Sequence, residues 1–344
     1  MADTETVPIN DATGVDRTLK NGRPVAVVTG ASRGLGFLIA RELADHGHDL
    51  VICARSGSGL RPAVDDLERR GAQVIAIEAD VGVAAEAQRV ITAADRRFGR
   101  LDILVANAGV IQVGPAREFS ARDYAHAMDV IFWGTVHTSL AAMPLLRRTR
   151  GRVLAVTSIG GKLPAPHLLP YTAAKHAAVG FAEGLRVEAA REGVTVTVAV
   201  PGLMRTGSTR NALFAGDRES ERRWFTLGAS LPVVSINAEK AARQLVRATL
   251  RGRPEVIVTP LAKLAARAHG LAPSTFLRLV TVVNRLLPRG SGSGQPVPGH
   301  RTGSHPRWFD RLTRRDRNAA HQWHQLDDQT PDGPRGRVPD PERM

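Results

Sequence analysis

A wholly apolar run, PVAVVTG (24–30), leads through a loop containing three glycines, Gly30, Gly34 and Gly36, directly into FLIARELADHG (37–47). The run has the composition of a strand buried on both faces, and the segment after the loop has helical periodicity and a glycine stop at Gly47. Few arrangements suit three glycines between a strand and a helix. Glycine permits a tight turn and lets backbone N–H groups approach a pyrophosphate closely, and the positive end of the helix dipole favours negative charge there. The loop alone is a weak signal, but its strand-then-helix setting is the context that gives it meaning.

The same alternation continues along the chain. DLVICAR (49–55) reads as a second strand, followed by LRPAVDDLERRG, AQVIAIEAD, AAEAQRVITAADRRFG and LDILVANAG in turn. Strands spaced by helical segments predict one parallel, doubly wound sheet. Asp80 and Val81 end the third strand, and Asn107, Ala108 and Gly109 end the fourth, on the carboxyl edge where such sheets bind ligands. Asp80 reads equally well as a turn or capping aspartate. Tyr124 to Leu146 reads as one long helix, apolar on more than one face, which calls for a second partner such as another subunit. From Leu203 to about Leu231 the chain reads as a looped arm, and AEKAARQLVRATL and EVIVT supply a last helix and strand.

Chemistry concentrates between Gly151 and Gly180. An apolar run, Val153 to Thr157, delivers Ser158 at its end, and Pro170 suits the first turn of the helix that follows the loop. Tyr171 and Lys175 are then i and i+4 on one helix face, roughly 5–6 Å apart at Cβ. An ammonium beside a phenol favours phenolate, and a serine hydroxyl can hydrogen-bond a carbonyl oxygen as charge builds on it. A lone Tyr-x-x-x-Lys is ordinary helix surface; here it stands within a dinucleotide-type frame.

In such a frame the end of the second strand faces the adenine ribose, where an acid would accept from the 2′-hydroxyl of NAD. Ala54, Arg55 and Ser56 stand there instead. Arg55, with Arg33 of the glycine loop, can neutralise a 2′-phosphate, so NADP(H) is favoured over NAD(H). The alternative for Arg55 is a solvated strand-end arginine.

Thr29-Gly-Ala-Ser-Arg-Gly-Leu-Gly36, Asn107-Ala-Gly109, Ser158, Tyr171-x-x-x-Lys175 and Pro201-Gly202 with Thr206 resemble, in order and spacing, the short-chain dehydrogenase/reductase family over about residues 23–260. The resemblance implies a seven-stranded Rossmann sheet and hydride transfer between a nicotinamide cofactor and a carbonyl or alcohol. It assigns Gly30, Ser32, Arg33, Gly34, Leu35 and Gly36 to the cofactor loop, with Asp80, Val81, Asn107, Ala108, Gly109, Pro201 and Gly202 also at the cofactor. Tyr171 is the implied acid/base, Lys175 its pKa modulator and a ribose ligand, Ser158 the carbonyl orienter, and Thr206 a nicotinamide contact. It also implies a homodimer or homotetramer. The chain departs from the pattern at Ile131, where the family usually has an asparagine that helps hold a proton-relay water. That departure admits a second reading, a cofactor-binding sensor or scaffold whose catalysis has decayed. Leu163, His167 and Leu203, with Leu168 and Leu169, suggest an apolar wall for a small-molecule substrate, a hydrophobic ketone or hydroxy compound.

Around this domain, residues 1–22 read as a disordered terminus, 261–288 as basic amphipathic helices and 289–344 as a flexible, charged tail. The 261–288 segment suits a lid, a peripheral membrane contact or packing on its own domain. With no apolar signal core and no run of 18 apolar residues, a cytoplasmic protein is expected, and the single cysteine, Cys53, excludes an internal disulfide. The net charge of +14 is mostly arginine interleaved with acids, and aromatics are only 4%, so no specific nucleic-acid partner is expected. The histidines lack metal-ligand spacing, so no metal site is expected either.

Overall fold

In the computed structural model, residues 22–302 are described, apart from 58, 231–234 and 290–294. The strands in chain order are β1 (Val25–Thr29), β2 (Asp49–Ala54), β3 (Val74–Glu78), β4 (Ile103–Ala106), β5 (Gln112–Val113), β6 (Arg152–Val156), β7 (Thr195–Val200), β8 (Leu203–Arg205), β9 (Leu213–Phe214), β10 (Ser235–Asn237), β11 (Glu255–Ile257) and β12 (Val297–Pro298). Seven of them form one parallel sheet in the order β11-β7-β6-β4-β1-β2-β3, the Rossmann-type arrangement that the alternating pattern predicts. Strand order reverses between β1 and β4, which opens a crevice at their carboxyl ends.

The helices are α1 (Gly34–Asp45), α2 (Leu60–Arg69), α3 (Ala84–Phe98), α4 (Ala121–Ala127), α5 (Gly134–Thr149), α6 (Leu169–Ala189), α7 (Arg218–Ser230), α8 (Ala238–Leu250), α9 (Pro260–Leu271) and α10 (Pro273–Asn284). Alternate residues of each strand serve opposite faces. Ala26, Val28, Leu50 and Ile52 pack with Phe37 and Leu38 of α1, Leu67 of α2 and Leu245 of α8. Val25, Val27, Val51 and Cys53 pack on the other face with Val90 of α3, Met143 of α5 and Val179 of α6. Burial on both faces explains why these strands read as unbroken apolar runs. It also pushes the Cys53 thiol up to about 12, so this cysteine behaves as a small core hydrophobe.

Three stretches differ from the sequence reading. The long helix is interrupted: Met128–Trp133 forms a π-helical turn between α4 and α5, at the family asparagine position, and the Thr135 hydroxyl donates to the Ile131 carbonyl at 2.7 Å. The arm is not all loop, because Arg218–Ser230 is α7, with Phe225 and Ala229 buried one turn apart. Its helical period is hard to see because the inward position before them holds Glu221, a fully buried carboxylate. Finally, within the segment expected to be a flexible linker, Val297–Pro298 pairs antiparallel with Leu213–Phe214 of β9, which pairs with β5. Gly299 fits there because a Cβ would stand 2.2 Å from the Thr209 carbonyl oxygen, and the Arg222 guanidinium donates to the Thr302 carbonyl at 2.7 Å. The expectations for residues 1–21 and for the tail beyond 302, with Trp308, Phe309 and Trp323, lie outside the described residues.

Candidate active site

The crevice is a cavity of about 700 Å³ that runs from the end of β2, past the glycine loop, to the start of α6. Four of the wall elements reach it from the carboxyl end of a strand: Gly30 after β1, Asn107 after β4, Ser158 after β6 and Pro201 after β7. Hydrogen bonds between strands fix these ends. The Thr29 hydroxyl accepts from the backbone N–H groups of Asn107 and Ala108 at 2.9 and 3.0 Å, and the Asn107 amide donates back to the Thr29 carbonyl at 2.9 Å. Gly36 packs against this brace so closely that a Cβ would lie 2.2 Å from the Gly30 carbonyl oxygen.

Ser32, Arg33, Gly34, Leu35 and Gly36 line the same cavity, and no acidic side chain stands in the first turn of α1. The N–H groups of that turn have no acceptor within the helix, so the cradle matches an anionic pyrophosphate. Arg55 lines the cavity where β2 ends, and its charge, after burial, lowers the pKa of His126 on α4. Asp80 lines the cavity with Val81, Ala108 and Gly109, and its carboxylate also accepts from the Gly82 N–H at 2.9 Å, so it is a turn aspartate as well.

Ser158, Tyr171 and Lys175 converge at the far end. The Thr157 hydroxyl donates to Ala199 at 2.6 Å and the Ile159 N–H to Pro201 at 2.8 Å, which clamps Ser158 against β7. Its hydroxyl oxygen accepts from the Gly160 N–H at 3.1 Å, leaving its own proton to donate. The Lys175 Nζ donates to the Val156 carbonyl at 2.9 Å and lies 5.8 Å from the centre of the Tyr171 ring. Burial pushes the Tyr171 phenol up, and the hydrogen bond from Ser158 pulls the other way. The same burial lowers Lys175 to about 8. The set can present a proton to an oxygen near Tyr171 while Ser158 donates a hydrogen bond to it.

Pro201, Gly202, Leu203 and Thr206 line the cavity beyond the triad, and the Thr206 hydroxyl accepts from the Ser208 N–H at 3.3 Å. Leu168 also lies on the wall, but Leu163 and His167 do not, and Leu169 is exposed. His167 adopts a positive φ of 60° that turns it away, and its Nδ1 meets Glu221 of α7 at 2.8 Å. The sequence reading missed Trp224, Phe225 and Ala229 of α7, which close the apolar side together with Val283 of α10 and Leu287 just beyond it, two residues of the segment read as a lid, a membrane contact or domain packing. Their only signal was apolar content in helical segments, without a clue to where those segments fold back. Ile131 is buried behind Gly109: a Cβ built on that glycine would lie 3.8 Å from both Ile131 Cγ1 and Lys175 Nζ.

A parallel sheet with a glycine cradle at its switch point and a Ser/Tyr/Lys cluster beside it marks a dinucleotide-binding protein of the oxidoreductase class. Comparison with known proteins narrows this. The short chain dehydrogenase family model matches residues 24–214, more than half of the 344, and the chain belongs to that family of oxidoreductases, which bind a nicotinamide cofactor. It is 35% identical over 231 residues to 11-beta-hydroxysteroid dehydrogenase A of Sesamum indicum, covering 66% of each chain. It is also 35% identical over 185 residues to a putative ketoacyl reductase of Streptomyces coelicolor, covering 53% of this chain and 71% of that protein. The chain thus spans just under two thirds of the length of the hydroxysteroid dehydrogenases it matches from sesame and from Pinus massoniana, 66% and 65%. Among solved structures, a short chain dehydrogenase/reductase from Burkholderia phymatum in complex with NAD superposes with a TM-score of 0.67 at 26% identity, covering 74% of this chain and 95% of that one. An alcohol dehydrogenase from Thermococcus sibiricus complexed with 5-hydroxy-NADP gives 0.57 at 26% identity, covering 68% and 95%.

Proposed function

We propose that the protein is an NADP(H)-dependent oxidoreductase that interconverts a hydrophobic ketone and its secondary alcohol. The observation that carries this reading is the convergence of Ser158, Tyr171 and Lys175 on a cavity that Leu168, Leu203, Trp224 and Phe225 line with apolar side chains. The names of the relatives, hydroxysteroid dehydrogenase and ketoacyl reductase, support a carbonyl on an apolar substrate. When bound, the cofactor supplies the hydride that the carbonyl carbon takes. Ser158 donates a hydrogen bond to the carbonyl oxygen, and Tyr171 gives that oxygen its phenolic proton, so the product is the alcohol. The phenolate left behind is stabilised by the Lys175 ammonium, and with a pKa of about 8 that ammonium can return a proton near neutral pH. In the alcohol-oxidising direction the same groups take the proton in reverse order.

Arg33 and Arg55 at the adenine end support NADP(H), through charge-assisted hydrogen bonds to a 2′-phosphate. In NADPH oxidation across a panel of apolar ketones, the native protein turns over and Tyr171→Phe loses about 10³-fold or more while binding NADPH within a few-fold. Near-native turnover by Tyr171→Phe refutes the assignment. Arg55→Asp is expected to shift the NADPH-to-NADH preference about 100-fold towards NADH, and an unchanged ratio identifies Arg55 as surface charge alone. A second reading, a cofactor-binding protein without turnover, draws on Ile131: its side chain has no polar atom and its carbonyl already accepts from Thr135. Measured turnover by the native protein rejects it.

A further inference from the structure

Helices α9 and α10 carry apolar side chains that no described residue covers. No residue of α10 is buried, and Leu264, Leu271 and Leu286 are 66%, 87% and 84% exposed, with Leu277, Leu279 and Val282 also in solvent. Single exposed leucines are ordinary, but a contiguous group on one helix pair marks a surface that something covers. Charge says what that is. Between Glu255 and Asp310 the sequence contains no acidic residue, while Lys263, Arg267, Arg278, Arg285 and Arg289 stand in or just beyond the two helices. A second copy docked here helix to helix brings the same cations face to face with no carboxylate on either helix to neutralise them.

We propose that α9 and α10 seat the protein on an anionic lipid bilayer, with the leucines in the boundary between headgroups and acyl chains and the arginines among the lipid phosphates. Each helix has 12 residues, about 18 Å at ~1.5 Å per residue, too short for a hydrocarbon core of about 30 Å, so the pair lies on the membrane and does not cross it. The surface is continuous with the cavity, since Val283 in the last turn of α10 and Leu287 just beyond the helix also line the cavity wall. The cavity mouth therefore opens beside the membrane, where a lipid-partitioned ketone is concentrated. This access route rests on the reductase reading; the docking does not.

The test is co-sedimentation of the full chain with phosphatidylcholine vesicles, either pure or containing about 30 mol% phosphatidylglycerol. At least about ten-fold stronger partitioning onto the anionic vesicles is expected, weakening several-fold between about 0.1 and 0.5 M salt. The double variant Leu279→Ser with Leu286→Ser keeps the charge and is expected to lose about ten-fold or more of that partitioning. Retained NADPH binding, read by fluorescence, verifies that the variant is folded. Equal partitioning of variant and native chains overturns the proposal, because adhesion is then net charge alone. So does absence of binding to anionic vesicles, or a native dimer that the leucine variant turns into a monomer. Binding that appears only after residues 303–344 are removed assigns the surface to the chain's own tail and overturns it as well.

Discussion

The glycine-loop half of the cavity and the arm that closes its other side are built on different principles. In the first half, strands of four to six residues deliver Gly30, Asn107 and Ser158 from a sheet buried on both faces, and hydrogen bonds between side chain and backbone at the ends of neighbouring strands fix their positions. In the second, strands of two or three residues, β8, β9, β10 and β12, tie down α7, while α10 packs on α9 with no buried residue. In the proposed function, the reacting groups and cofactor cradle sit on the rigid half, where a displacement of about 1 Å can cost about 100-fold in rate. The proposed substrate wall sits on the half that can change without disturbing them, which is how one fold serves many substrates.

Substitutions that act on one half alone sharpen the comparison. The largest effect is expected from Gly36→Ala. Alanine in place of glycine gains about 1 kcal/mol of helix propensity, but its Cβ falls 2.2 Å from a backbone oxygen that Asn107 also holds. NADPH affinity should drop about 100-fold and Tm by about 5 °C or more, measured by titration and thermal unfolding. An unchanged Kd would show that the cradle is not rigid.

Glu221→Ala addresses the other half. Glu221 is fully buried and accepts from the Trp224 indole at 2.6 Å while pairing with His167, so its loss leaves two partly buried polar groups unpartnered and frees α7. KM for the ketone should rise about ten-fold with NADPH affinity unchanged. A change in cofactor affinity of the same size breaks the division into halves.

The smallest effect concerns Lys175, held on the rigid half at a pKa of about 8 against its usual 10.5. Because folding lowers this pKa, the unfolded chain binds more protons between those values, so stability rises as pH climbs from 8 to 10.5 and is lost as it falls back. Lys175→Met, inactive, should therefore unfold a few degrees above the native chain at pH 7, with the gap closing by pH 10. A variant that melts lower at pH 7 shows the Val156 hydrogen bond outweighing desolvation.

Legibility in the sequence follows the same division. The sheet declared itself because double burial turns each strand into an apolar run, and the residues just after those runs are the ones that meet at the switch point. Arg218–Ser230 did not, since its inward positions include Glu221, a carboxylate that becomes explicable only once His167 and Trp224 are placed beside it. His167 and Leu163 stand in the stretch that leads into Tyr171, but backbone direction, set by a positive φ at His167, sends that residue elsewhere. Val283 and Leu287 reach the cavity from more than a hundred residues away, a distance that no local pattern encodes.

The small sheet β5-β9-β12 has a consequence for how the molecule is made. It joins Val113, Phe214 and Val297, so its third strand is synthesised long after the first. At about 5–20 residues per second, the ribosome needs on the order of tens of seconds to pass from one to the other. The Rossmann sheet can assemble shortly before that pairing, because β11, its last strand, ends at Ile257, roughly 2–8 s of synthesis ahead of Val297, while the edge of β9 waits unpaired for Val297 and Pro298. The nascent chain thus acquires its cofactor cradle before its substrate wall is complete, and a ligand bound early at the cradle would stabilise the intermediate by mass action.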